Sequence, residues 1–212
     1  GVTTIEVKSG YALNEKHEIK ILKVAKQLKK ARIIPTYLGA HAKPNNKTYK
    51  EYLNEMLNQT MPKVAKLSLA KRVDIFIEDG YFDLSMAERY FKRANELGLD
   101  ISVHADQLSR SGATALALKY KARSVDHVVQ INKRDIQRLA QSDTTGVLLP
   151  GADFYLRMAY PPARQLIDEG ARVALATDFN PGSCPTQNVQ LIGLLARLEM
   201  RMTLAEVIVA YT

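Results

Sequence analysis

The stretch Ile33-Ile34-Pro35-Thr36-Tyr37-Leu38-Gly39-Ala40-His41 is an apolar run that ends in two small residues and a histidine. Because the part Ile33–Leu38 does not alternate strictly between apolar and polar residues, it predicts a strand buried on both faces of a parallel sheet. Six further runs of this kind start 23 to 40 residues apart, close to the roughly thirty residues of one βαβ unit. They are Val2–Lys8, Val73–Glu78, Ile101–His104, Ser124–His127, Val147–Leu149 and Val173–Thr177.

Amphipathic helical segments separate these runs. They are Asn14–Lys30, Tyr49–Leu67 (interrupted at Pro62), Leu84–Leu97, Ser109–Tyr120, Lys133–Gln141, Pro162–Glu169 and Gln187–Met200, and a last one follows over Leu204–Thr212. The alternation predicts one α/β domain over residues 1–212, built either as an open doubly wound sheet or as most of a (β/α)₈ barrel. No Gly-x-Gly-x-x-Gly follows the first strand and no phosphate loop is present, which makes the open sheet the less favoured of the two.

Composition narrows the class of protein further. The chain has 212 residues, a formal net charge of +8 and one cysteine, Cys184, so it has no intrachain disulfide and fits a reducing compartment such as the cytoplasm. The stretch Gly1-Val2-Thr3-Thr4-Ile5-Glu6-Val7 lacks the basic start and apolar run typical of a signal peptide, and no stretch is apolar enough for a membrane span. Lysines are concentrated before residue 72. They form either a patch for nucleic acid or another anionic surface or, as we favour, the solvated faces of helices. Their field would still suit a small anionic substrate.

Reactive residues stand where the predicted strands end. Three of the four histidines (His41, His104, His127) and Asp178 occupy such ends. In a parallel barrel these ends lie on one face, where active sites are built. Imidazole and carboxylate are common ligands of catalytic metals, so the set indicates a metal or acid/base site. Tyr11 is either a substrate contact or a loop aromatic.

Four segments at the predicted strand ends are distinctive. They are Thr3-Thr4-Ile5-Glu6-Val7-Lys8-Ser9-Gly10-Tyr11, Pro35-Thr36-Tyr37-Leu38-Gly39-Ala40-His41, His104-Ala105-Asp106-Gln107 and Ala176-Thr177-Asp178-Phe179-Asn180-Pro181-Gly182-Ser183. Together they resemble the imidazolonepropionase family of the metal-dependent amidohydrolase superfamily. The resemblance runs nearly end to end in the same order. It implies a (β/α)₈ barrel that holds one zinc or iron ion and hydrolyses the ring amide of 4-imidazolone-5-propanoate to N-formimidoyl-L-glutamate in histidine degradation.

The resemblance also implies roles for particular residues. It makes His104 and Asp178 metal ligands, and Asp178, His127 and Gln107 catalytic. It makes Tyr11, His41, Gln107, Asn180, Gly182 and Ser183 substrate contacts. Gln107 stands where some relatives have glutamate, and an amide cannot accept a proton as a carboxylate does. Asp178 is then expected to move the proton.

One part of the family pattern is missing. The superfamily's first barrel strand ends in His-x-His, which supplies two metal ligands, and no His-x-His occurs in this chain. The seven strands therefore match strands two to eight, and the family's small β-sandwich domain is also absent. We expect an internal fragment that is inactive alone, from a cytoplasmic homo-oligomer that binds neither nucleic acid nor membranes. The alternatives are another cyclic amidohydrolase or ring-amidine deaminase, and a non-catalytic basic α/β binding domain.

Overall fold

The computed structural model describes residues 2–212, in which strands and helices alternate and strand order in the sheet follows chain order. The strands are β1 (Thr4–Lys8), β2 (Arg32–Ala40), β3 (Arg72–Phe76), β4 (Asp100–Ala105), β5 (Ser124–His127), β6 (Thr145–Leu148) and β7 (Val173–Leu175). The helices are α1 (Glu15–Gln27), α2 (Tyr49–Glu55), α3 (Met61–Lys66), α4 (Leu84–Glu96), α5 (Ala113–Lys119), α6 (Lys133–Ala140), α7 (Pro150–Leu156), α8 (Ala163–Asp168), α9 (Val189–Leu198) and α10 (Leu204–Ala210). All seven predicted strands are confirmed, with ends that differ by no more than two residues.

The chain divides into two compact units, Gly1–Val103 and His104–Thr212. In the first unit, β1 pairs in parallel with β2, with Thr4 opposite Arg32, and β2 pairs in parallel with β3. The second pairing shifts register between Tyr37 and Ala40. Its core includes fully buried aromatic and aliphatic side chains, among them Tyr37, Leu53, Met56, Met61, Phe82, Tyr90 and Phe91.

In the second unit, β5 pairs in parallel with β6, and β6 with β7. Its core includes Ile136, Leu139, Leu148, Ala152 and Ile192. Leu149, Ala152 and Cys184 form a buried cluster, so the single thiol is part of the packing, and burial raises its pKa. The strands of both units present apolar residues on two faces, as parallel strands do.

The helices begin where polar side chains satisfy free backbone N–H groups. Asn14 caps α1 by accepting from the His17 N–H, and Thr48 and Thr203 each form a capping box at α2 and α10. The lysines of α1 are exposed while Ile19 and Leu22 are buried, which confirms the solvated-face interpretation for this helix. None of the helices within residues 2–212 is long and apolar enough to cross a membrane.

Three helical predictions need correction. The break in the predicted helix Tyr49–Leu67 is a π-helical segment, Met56–Thr60, and Pro62 stands in the first turn of α3, which follows it directly. Helix α5 begins at Ala113, not Ser109. Pro150-Gly151-Ala152, directly after the predicted strand Val147–Leu149, are the start of a helix that the sequence did not predict, α7, with Pro150 at its first position.

Candidate active site

In the first unit, the loop after β1 lies tightly against β2. The Ser9 hydroxyl accepts a hydrogen bond from the Leu38 N–H at 3.1 Å. Gly10 has a φ of +115°, and a Cβ there would lie 2.5 Å from the Leu38 carbonyl oxygen. Only glycine satisfies both the left-handed backbone and the close approach. The loop that carries Tyr11 is therefore fixed against its neighbouring strand.

This loop brings together two predicted substrate contacts. The ring centroids of Tyr11 and His41 are 6.2 Å apart, and those of His41 and Phe76 are 5.7 Å apart. Tyr11 is 58% exposed, so its ring remains available to a ligand. The structure thus places the ends of β1, β2 and β3 in one aromatic group.

Charged side chains of β1 and β3 form a polar group that the sequence did not reveal. Lys8 forms an ion pair with Asp74, whose side chain is fully buried, and a longer one of 3.6 Å with Glu6. Glu6 in turn accepts a hydrogen bond from the Thr36 hydroxyl at 2.5 Å. The sequence signal for this group is Asp74, which stands inside the apolar run Val73–Glu78, because an aspartate is rarely buried without a partner.

In the second unit, the histidines that end β4 and β5 lie side by side. The rings of His104 and His127 have centroids 5.3 Å apart and planes inclined by 44°, and both residues are buried. Asp126, also buried, accepts a hydrogen bond from the Ser124 hydroxyl at 2.8 Å. The Val128 N–H donates to the Ala105 carbonyl at 3.1 Å, which ties the two strand ends together.

Backbone strain is found at the same strand ends. Asp106, His127, Val128 and Asp178 all have positive φ angles, between +48° and +73°. Such angles are uncommon for residues other than glycine and persist only where surrounding contacts hold them. The predicted site residues His127 and Asp178 thus stand on strained backbone.

Gln107 lies in a loop that Asp106 organises. One Asp106 carboxylate oxygen accepts from the Gly112 N–H at 3.0 Å, and the other accepts from the Thr114 hydroxyl and N–H at 2.5 and 3.2 Å. These bonds explain why α5 starts only at Ala113. Gln107 follows directly and is half-buried. Its role remains a prediction.

The predicted substrate loop after β7 is a turn built around Asn180. The Asn180 Oδ1 accepts from the Gly182 and Ser183 N–H groups, both at 2.8 Å, and its Nδ2 donates to the Asp178 carbonyl and the Ser183 hydroxyl at 2.6 and 2.7 Å. The Ser183 hydroxyl is 3.4 Å from the Asp178 carboxylate. One side chain therefore connects all the predicted residues of this loop.

Asp153 is a further acid that the sequence did not single out. It stands in α7, is fully buried, and neither carboxylate oxygen accepts a hydrogen bond within residues 2–212. Burial, together with the negative charge of Asp178, raises its pKa from 3.8 to about 7. A carboxyl group that is half protonated near neutral pH can donate or accept a proton there.

Several buried side chains are of types that ligate metals. They are Asp74 in the first unit and His104 and Asp126 in the second, and Asp178 is half-buried. The predicted ligands were His104 and Asp178 alone. Asp126, which directly precedes His127 in β5, lies outside that prediction. A set of imidazole and carboxylate donors fits zinc or iron, which both accept nitrogen and oxygen ligands.

Solved structures share this fold over nearly the whole chain. The structure resembles guanine deaminase from C. acetobutylicum, with a TM-score of 0.72 over 94% of this chain and 51% of that one, at 14% identity. It also resembles a zinc-bound adenosine deaminase from Xanthomonas campestris, with a TM-score of 0.68 over 94% and 47%, at 14% identity. The fold is thus the (β/α)₈ barrel of the amidohydrolase type, of which seven β/α units are present.

Sequence comparison gives the closer assignment. The chain is 56% identical over 213 residues to an imidazolonepropionase from Bdellovibrio bacteriovorus and 40% identical over 219 residues to one from Thermoanaerobacter pseudethanolicus, covering 100% of this chain in both cases. No family model matches it. The chain is homologous to imidazolonepropionase along its whole length, which confirms the resemblance. It spans about half the length of the curated relatives it matches, 50% and 52%.

Proposed function

We propose that the protein hydrolyses the ring amide C–N bond of 4-imidazolone-5-propanoate and releases N-formimidoyl-L-glutamate, a step of histidine degradation. The observation that carries this proposal is the 56% identity to an imidazolonepropionase, which extends through both units. Deaminases share the fold at only 14% identity, which supports no common substrate. We therefore favour the cyclic amide over a ring amidine.

His104 and Asp178 would hold one zinc or iron ion, and buried Asp126 is a further candidate ligand from the same unit. When bound, such an ion polarises the amide carbonyl and lowers the pKa of a water molecule. The residues fit this role because β4, β5 and β7 place the imidazole and carboxylate groups at their carboxyl ends.

Side chains of the second unit carry out the proton transfer and the hydrogen bonding of the proposed reaction. Asp178 accepts the proton of the attacking water and passes it to the leaving ring nitrogen. His127, packed against His104, donates a hydrogen bond to the reacting carbonyl oxygen. Gln107 holds the water or the ring by hydrogen bonds alone, because its amide has no basic oxygen.

Substrate binding is proposed to involve Tyr11 and His41, whose rings lie together in the first unit, and the Asn180 turn of the second. The Gly182 and Ser183 N–H groups already donate to Asn180. A substrate carboxylate would compete with that amide oxygen for them, so binding by this turn depends on the Asn180 side chain.

We also propose that residues 1–212 belong to one hydrolase domain, in a cytoplasmic homo-oligomer that binds a small anionic substrate and neither nucleic acid nor membranes. Two observations support this. The only cysteine is a buried free thiol, as is usual in a reducing compartment. The lysines of α1 are exposed side chains on the polar face of an amphipathic helix.

The test is an assay of the metal-loaded whole protein on 4-imidazolone-5-propanoate and, in parallel, on guanine as a ring amidine. We expect turnover of the first substrate only. Deamination of guanine without hydrolysis of the imidazolone would reject the proposal. The 212-residue chain alone is expected to show no turnover and less than stoichiometric metal, and full activity of that chain would refute this part.

A further inference from the structure

A buried carboxylate of α1 holds the loop that follows β1. Glu18 is only 1% exposed, yet it has no ion-pair partner among residues 2–212. Its Oε2 accepts a hydrogen bond from the Gly10 N–H at 2.8 Å. Its Oε1 accepts from the Ala12 and Leu13 N–H groups at 2.8 and 3.2 Å.

Three backbone N–H groups of four consecutive residues thus converge on one carboxylate. Hydrogen bonds to an ionised acceptor are roughly twice as strong as neutral ones, and a buried carboxylate that lost them would be left uncompensated. The residue between the first two donors is Tyr11. Its position is set by its neighbours on both sides.

Other contacts limit the same loop. Asn14, which caps α1, donates from its Nδ2 to the Ala12 carbonyl at 2.6 Å. The Gly10 backbone lies so close to the Leu38 carbonyl that an added Cβ would be 2.5 Å from its oxygen. With the loop held at β2 on one side and at α1 on the other, the Tyr11 ring lies 6.2 Å from that of His41.

We propose that Glu18 is a positioning residue, which acts through the Gly10–Leu13 loop to hold Tyr11 beside His41 in the substrate-binding arrangement. The proposal rests on the proposed function, in which these two rings contact the substrate. It extends that function by assigning a substrate-affinity role to a residue that touches no substrate.

The first measurement is the steady-state kinetics of Glu18→Gln in the metal-loaded whole protein. The amide keeps one acceptor oxygen but sets an NH₂ group against a backbone N–H, so at least one loop bond is lost. We expect KM to rise on the order of tenfold, the effect of about one hydrogen bond, with a much smaller change in kcat. Glu15→Gln is the matched control, because it removes a half-buried carboxylate of the same helix that pairs with Lys63 and not with the loop; its KM should stay unchanged.

A double-mutant cycle identifies the route of the effect. If Glu18 acts through Tyr11, Glu18→Gln should raise KM no further in a Tyr11→Ala background. An equal rise in both backgrounds would show that Glu18 acts elsewhere, and would overturn the proposal. A fall in kcat equal to the rise in KM in the single variant would likewise indicate general disruption.

Amide hydrogen exchange provides a readout that needs no activity. Glu18→Gln should accelerate exchange at Gly10, Ala12 and Leu13 while β2 keeps its protection; unchanged exchange in the loop would refute the positioning role. If the wild-type protein fails to hydrolyse the imidazolone, the proposed function fails, and this measurement still decides whether Glu18 holds the loop. Should the glutamine variant not fold, Glu18→Asp replaces it, since it keeps the charge but shortens the reach.

Discussion

The imidazole rings of His104 and His127 lie 5.3 Å apart at the ends of two consecutive strands, both buried. The Val128–Ala105 backbone bond holds the strand ends in this arrangement. Because the two rings are this close, one imidazole can ligate a metal ion while the other contacts the substrate. The pair is therefore the centre of the proposed chemistry in the second unit.

His104→Ala should remove the metal. Changing a residue that only supports a metal ligand weakens metal affinity about 10- to 100-fold. Loss of the ligand itself should therefore weaken metal binding by at least about 100-fold. Metal content after dialysis and turnover should fall together. His17→Ala, an exposed histidine of α1, is the control and should change neither. Full metal content in His104→Ala would contradict the assignment.

Gly10→Ala should destabilise the first unit. The added Cβ would lie 2.5 Å from the Leu38 carbonyl oxygen, and the backbone at this position has a φ of +115°. The steric clash and the backbone strain together should lower the free energy of unfolding by about 2–4 kcal/mol. Gly80→Ala is the matched control, because Gly80 also has a positive φ of +82° but has open space around it. It should cost only about 1 kcal/mol. Denaturant unfolding measures both, and equal losses would disprove the role of the close approach.

Asp153 should make the metal-free protein less stable as the pH rises. Its pKa is about 7 in the folded protein against 3.8 when unperturbed. Between these values the unfolded chain loses this proton while the folded protein keeps it, so stability declines from about pH 4 to pH 7 and then levels off. The loss is on the order of 4 kcal/mol.

Asp153→Asn should remove this pH dependence and stabilise the metal-free protein at pH 8. The amide has nearly the same shape and carries no charge beside Asp178. Thermal unfolding at pH 5 and pH 8 compares the two proteins. Identical slopes of stability against pH in variant and wild type would show that another group is responsible.

Asn180→Ala should loosen the turn after β7. Four hydrogen bonds of the amide are lost, so we expect a destabilisation of about 1–3 kcal/mol and a larger KM. Ser183→Ala removes only the hydroxyl at the edge of the turn and should have the smaller effect on stability. A larger loss from the serine variant would argue against Asn180 as the organiser.

The strands and their carboxyl ends could be predicted because their signals are local. An apolar run such as Ile33–Leu38 followed by small residues and a histidine indicates a buried strand and its end without reference to the rest of the chain. Parallel pairing then brings the ends to one face, which is why His41, His104, His127 and Asp178 could be chosen as candidates.

The misplaced start of α5 has a non-local cause. Ser109–Gly112 remains a loop because the carboxylate of Asp106 binds the N–H groups of Gly112 and Thr114, which stand six and eight residues away. Helix α7 is hard to predict for a local reason, since proline and glycine are both common in turns, whereas Pro150 is also well suited to a first helical position.

By itself, the sequence determined the alternation of strands and helices, the residues at the strand ends and the likeness to imidazolonepropionase. Only the tertiary structure decided that Asp74 is paired with Lys8, that Asp153 is buried next to the charge of Asp178, and that Glu18 holds the Tyr11 loop. The physical reason is that residue type and spacing set secondary structure, whereas the protonation and hydrogen bonding of a carboxylate depend on which distant groups surround it.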